Sequence, residues 1–176
     1  MSAFRLIVTA AMLLSPLALH AADPFLGKWT LDVKRSKYPA GACPAQMTIE
    51  MSSAGHGVHY HSESRLTNGS LVNADYTADY DGKPAIVMGD RGMLLPVSLE
   101  RAGQRIVIAK YESGFQVAAT SRRVVSADGG VMTITTTSRD RSGKSVTNVG
   151  VYTKTNAAVT STFDLQKIKP HVLVSR

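Results

Sequence analysis

From Phe25 to Lys154 apolar positions recur at every second residue over short runs. Between Gln46 and Ser52, Met47, Ile49 and Met51 share one face, while Thr48, Glu50 and Ser52 share the other. Val58, Tyr60 and Ser62 alternate with His59, His61 and Glu63, and Ala74, Tyr76, Ala78 and Tyr80 alternate with Asp75, Thr77 and Asp79. Leu95, Val97 and Leu99 line up within 93–101, and comparable runs cover 105–112, 115–125, 131–139 and 146–154. A period of two sets one face against a core and the other in water, as antiparallel sheets require. No stretch keeps helical spacing for three turns. Asn68-Gly69, Asp81-Gly82, Ala102-Gly103, Asp128-Gly129-Gly130 and Ser142-Gly143 fall between the runs, where tight hairpins need positive φ. Asn68-Gly69-Ser70 also fits a glycosylation sequon, but its place between two runs reads first as a turn. The pattern predicts an all-β chain, a single antiparallel up-and-down β-barrel of about 8–10 strands, because ring closure removes exposed sheet edges.

The ends read differently. A short n-region with Arg5, an apolar run from Leu6 to Leu19 and small residues at Ala21 and Ala22 have the form of a secretory signal peptide, too short to span a bilayer. The expected organisation is a signal peptide over 1–22, a barrel domain over 23–154, and a C-terminal extension over 155–176 with no assigned role. A cleaved leader implies a periplasmic or secreted protein. Ala40-Gly41-Ala42-Cys43 is not a lipoprotein box, because Lys34, Arg35 and Lys37 stand where an apolar segment is needed.

Composition narrows the chemistry. The chain has 176 residues, 44% hydrophobic, with 20 Lys+Arg against 13 Asp+Glu. A single cysteine, Cys43, excludes a disulfide scaffold and any zinc or iron–sulfur site built on thiolates. The basic excess is not gathered into a cluster with interleaved aromatics, so no nucleic-acid partner is implied. No later segment is apolar enough for a transmembrane span.

Phe25-Leu26-Gly27-Lys28-Trp29-Thr30-Leu31 resembles the Gly-x-Trp opening strand of lipocalin and fatty-acid-binding-protein barrels, the calycin superfamily. Asn148 to Lys154 is similar to the final strand of fatty-acid-binding proteins. Lys34-Arg35-Ser36-Lys37-Tyr38, Tyr76 to Pro84 and Thr120 to Val124 resemble stretches shared by bacterial secreted lipocalin-like proteins. The resemblance implies structural roles for Gly27, which lets the chain turn in, and Trp29, which plugs the closed end. It also implies a small hydrophobic or amphipathic ligand. One position departs: where fatty-acid-binding proteins carry an arginine two residues before the last tyrosine, this chain has Gly150. A cation for an acidic ligand group would then come from Arg122 or Arg123. As strand neighbours they face opposite sides, so only one points inward. That inward arginine has two open uses, a ligand or a cation–π contact on Trp29.

Candidate site residues follow from the same alternation. Tyr76 and Tyr80, spaced by small alanines, offer hydroxyls inside an apolar pocket, with Tyr152 and one of Arg122 or Arg123 beside them and Met47 and Met51 as adaptable wall. His59 and His61 share a strand face about 7 Å apart and are weak metal candidates, with His56 close by in sequence. They fall on the outer face, so no metal is assigned. No Gly-x-Ser-x-Gly elbow, His–Glu helix motif or phosphate-cradling glycine loop occurs. No catalytic residues and no cofactor are implied. The expected function is non-covalent binding of a small hydrophobic or amphipathic molecule, not catalysis. Two alternatives stay open: a protein-interaction or inhibitor module of the cell envelope with a filled barrel, and a metal-dependent enzyme using His59 and His61. Oligomeric state is not specified.

Overall fold

The computed structural model describes residues 22–90 and 94–155. The leader before Ala22 and the extension after Thr155 lie outside the described residues. Ten strands follow one another: β1 (Gly27–Leu31), β2 (Gln46–Ala54), β3 (Gly57–Arg65), β4 (Leu71–Asp79), β5 (Met88–Gly89), β6 (Val97–Gly103), β7 (Ile106–Ser113), β8 (Gln116–Val125), β9 (Val131–Arg139) and β10 (Ser145–Thr155). They form one antiparallel sheet in the order β5-β4-β3-β2-β1-β10-β9-β8-β7-β6. Apart from the β1–β10 pair, sheet neighbours are also chain neighbours, joined mostly by the glycine turns read above. The two ends of the sheet meet: Ala85 and Val97 exchange backbone hydrogen bonds of 2.8 and 2.9 Å, and Gly82 N–H donates to Leu99. A few bridges, not a full ladder, close the ring there.

The alternation places the faces as expected along β2, β3 and β4. The segment 93–101 differs. Pairing there begins only at Val97, directly after Pro96, which has no N–H to give a ladder.

The inward rows grade from apolar to polar along the barrel. Phe25, Trp29, Val58, Met51, Val125 and Met132 crowd the end where β1 begins, all buried. Trp29 is fully enclosed and its indole N–H donates to the Phe25 carbonyl at 2.8 Å. At the other end the inward residues are Ser62 and Ser64 of β3, Ser121 of β8, Thr136 of β9 and Asn148 of β10. One end is a packed plug, and the other is open and polar inside.

Candidate functional site

Between plug and open end lies a cavity with two lobes of about 220 and 190 Å³. Met47, Tyr60, Tyr111, Ser121 and Thr136 line both lobes. Together the lobes reach the lower part of the roughly 300–1,000 Å³ range of small-molecule pockets. Phenols converge on this space from five elements: Tyr60 of β3, Tyr76 of β4, Tyr111 of β7, Tyr152 of β10, and Tyr38 from the β1–β2 segment. Tyr38 arrives because Lys37 forms a two-way backbone bridge with Val149, both bonds 2.7 Å. The segment after β1 thereby folds back over β10.

Arg123 is the centre of the group. It is 3% exposed. Its Nη2 donates to the Tyr76 hydroxyl at 2.8 Å and to the Tyr111 hydroxyl at 3.3 Å. The guanidinium carbon stands 5.1 Å from the Tyr60 ring centroid, and that ring stacks on Tyr76 at 4.7 Å. No carboxylate among the described residues lies within ion-pair distance of Arg123. Its Nε, and the Oδ1 of Asn148, are buried with no partner.

The phenols cannot neutralise this cation. Desolvation by burial pushes the Tyr60 hydroxyl up to about 12 against the pull of Arg123, and holds Tyr76 and Tyr152 above their ordinary range for the same reason. All three stay neutral at physiological pH. No Asp, Glu, His or Cys lines either lobe. Among the residues lining the cavity, the one formal charge is that of Arg123.

The sequence-derived candidates separate on this frame. Met47, Tyr76, Tyr152 and Arg123 line the cavity, and Tyr152 donates to Met47 Sδ at 3.2 Å. Arg122 points outward and is exposed. Met51 lies in the packed plug, level with Gly27. Tyr80 lies at the plug end too, under Arg101, whose guanidinium carbon is 4.1 Å from the ring centroid and which pairs with Asp23. Tyr80, just past the end of β4, is four positions from Tyr76, about 13 Å at strand rise, enough to put them in different layers. The cation on Trp29 is not Arg123 but Lys154, with Nζ 4.9 Å from the ring centroid. Lys154 is the direct cross-strand partner of Trp29, two residues after inward-facing Tyr152.

Gly150 is accounted for locally. A Cβ there would sit 2.8 Å from the Tyr152 ring and 2.9 Å from the Tyr38 hydroxyl. The tyrosines occupy the room an arginine would need. Tyr38, Tyr60, Tyr111, Ser62, Ser121, Thr136 and Asn148 escaped the candidate set. The signal for most of them was a polar residue in an inward row, as Ser62 is in the row Val58, Tyr60, Ser62.

His59 and His61 lie outside the barrel, half exposed. His59 Nε2 is 3.1 Å from both oxygens of Asp75, and His61 Nδ1 is 3.2 Å from one of them. His56 does not join them; its backbone N–H donates to Asp79. Among the described residues no three side chains of these types are disposed to hold a metal ion. A hollow of about 490 Å³ outside the plug, at Ala22, Asp23, Pro24, Arg101, Gln104 and Arg105, is bounded by the first described residue, and its Arg101 and Asp23 already pair.

Fold and site thus define a class: an antiparallel ten-stranded β-barrel, plugged at one end, with a cavity that holds a buried arginine and opens towards the other. No family model and no curated protein matches the chain. Among solved structures it is similar to zebrafish ileal bile acid-binding protein complexed with cholic acid, at 13% identity and a TM-score of 0.47, over 75% of this chain and 99% of that one.

Proposed function

We propose that the barrel binds a small amphipathic molecule non-covalently, with an acidic group against Arg123. The observation that carries this reading is a buried guanidinium with a free Nε–H and no carboxylate partner among the described residues. A buried cation without a counter-charge is costly, and an oxyanion that accepts from it removes that cost. Asn148 Oδ1 supplies an acceptor for a ligand hydroxyl, and Met47, Ile49, Val87 and Ile134 supply apolar wall. Burial of ligand surface contributes roughly 25 cal/mol per Å² before the entropic cost of association. Binding is favoured over catalysis because the lining offers neutral phenols and hydroxyls but no group that exchanges protons near neutral pH. The leader-like N-terminus fits a carrier that works in the periplasm or outside the cell.

The test is competition against anilinonaphthalene sulfonate fluorescence. Dodecanoate is expected to displace the dye at about tenfold or more lower concentration than methyl dodecanoate, the range of a charge-assisted hydrogen bond. In Arg123→Met that preference disappears. Equal competition by acid and ester in the wild type, or a preference that survives the substitution, refutes the reading.

A further inference from the structure

We propose that the open rim of the barrel docks on anionic phospholipid surfaces. The argument is independent of what the cavity binds. Large apolar side chains left in water are not spread evenly. Leu71 (64% exposed), Leu94, Phe115 (110%) and Val117 (54%) stand at the open end, with Val33 after β1, on the strand starts and hairpin tips there, while Ile86 (79%) and Met88 (66%) lie on the barrel's flank, Met88 opposite Asp75 of mid-β4. Phe115 follows Gly114 (φ 60) in the β7–β8 turn, and no packing in the barrel requires it. The plug end leaves no comparable side chain exposed among the described residues.

Charge is distributed with the same polarity. The rest of the open rim carries Lys34, Lys37, Arg65, Arg141 and Lys144, all exposed and with no ion pair among the described residues. Of the acids there, Asp32 holds its own turn at Arg35, Asp140 accepts from Ser142 and the Lys144 amide and Asp90 accepts from Asn73, while Glu112 stands opposite Val117 beside the β7–β8 tip. At the plug end four acids, Asp23, Asp79, Asp81 and Asp128, stand among five basic residues, Lys28, Lys83, Arg101, Arg105 and Lys154, so the two signs nearly cancel there.

Separate apolar tips at one level beside unpaired basic residues suit an interface of head groups and acyl chains, where each tip inserts alone. The cavity opens towards the same end, so docking would face its mouth to the bilayer.

The experiment is flotation of the full mature chain with vesicles of phosphatidylglycerol and phosphatidylcholine, against vesicles of phosphatidylcholine alone. Binding to the anionic vesicles is expected, weakening about fivefold for each of Lys34, Arg141 and Lys144 changed to Gln. The double substitution F115S/V117S is expected to weaken it about tenfold or more, with an unchanged melting temperature and unchanged dye binding in the cavity. Lys28→Glu at the plug end leaves it unaltered. Equal binding to neutral vesicles, or full binding by F115S/V117S, overturns the proposal. So does a rim covered by something else: a dimer dispersed by F115S/V117S, or vesicle binding seen only after removal of residues 156–176.

Discussion

Replacing Arg123 by Met removes a charge from the middle of the barrel while keeping an unbranched side chain of similar reach. In the ligand-free protein the opposing contributions are comparable. Two hydrogen bonds from a charged donor to Tyr76 and Tyr111 contribute about 2 kcal/mol each, and the guanidinium over Tyr60 adds about 1–2 kcal/mol in a desolvated setting. Desolvation of a cation with no counter-ion costs several kcal/mol. The difference is near zero, so Arg123→Met is expected to change unfolding free energy by less than about 2 kcal/mol, with either sign. Removing a packed side chain of the plug, as in Met132→Ala, is expected to cost about 2–5 kcal/mol. The two variants are compared by urea denaturation, without and with dodecanoate. The acid should raise the midpoint of the wild type and of Met132→Ala, and raise that of Arg123→Met clearly less, no more than methyl dodecanoate does, since a ligand stabilises the native state in proportion to how well it binds it. A loss above about 4 kcal/mol in ligand-free Arg123→Met would mean that the phenols already satisfy the cation, and that Arg123 is a strut, not a receptor for charge.

Tyr76→Phe should weaken binding of the acid by about tenfold through loss of a partner that positions Arg123, whereas Tyr80→Phe should leave it unchanged; equal effects in the dye competition would contradict the layer assignment. Gly150→Ala should destabilise by about 1–3 kcal/mol through overpacking against Tyr38 and Tyr152, read as a lower denaturation midpoint. Stability should fall as pH rises from about 10 towards 12. There the unfolded chain releases phenolic protons that folded Tyr60, raised to about 12 by burial, still holds; that residue alone accounts for about 2–3 kcal/mol. Phenolate absorbance should therefore jump at alkaline unfolding, and smooth titration of every tyrosine below pH 11 would contradict it. Trp29→Ala should cost about 3–5 kcal/mol and drop the thermal midpoint sharply.

Much of the barrel is legible along the chain, because a strand's two faces follow from alternation and do not depend on the neighbouring strand. The row Met47, Ile49, Met51 points inward wherever β2 is placed, and Arg122 and Arg123 must part company on β8. The glycine turns between the runs follow equally from local backbone sterics. Depth is another matter. Whether an inward residue meets the plug or the cavity depends on register across the sheet, which pairs Trp29 with Lys154 and sets Arg123 between Val107 and Ile134. Tyr76 and Tyr80 look alike in sequence, yet one hydrogen-bonds Arg123 and the other lies under Arg101. The partners of Arg123 come from β4 and β7, brought together only when the ring closes at Ala85 and Val97. The cavity itself is a difference between the space the ring encloses and the volume of the side chains within it, a quantity no single strand carries. Strands, their faces and the turns are local properties and can be read from the order of residues. Which inward groups share a layer, where space remains, and that the cavity's one charged lining residue has no opposite charge beside it among the described residues follow from the closed ring, because each depends on several strands at once.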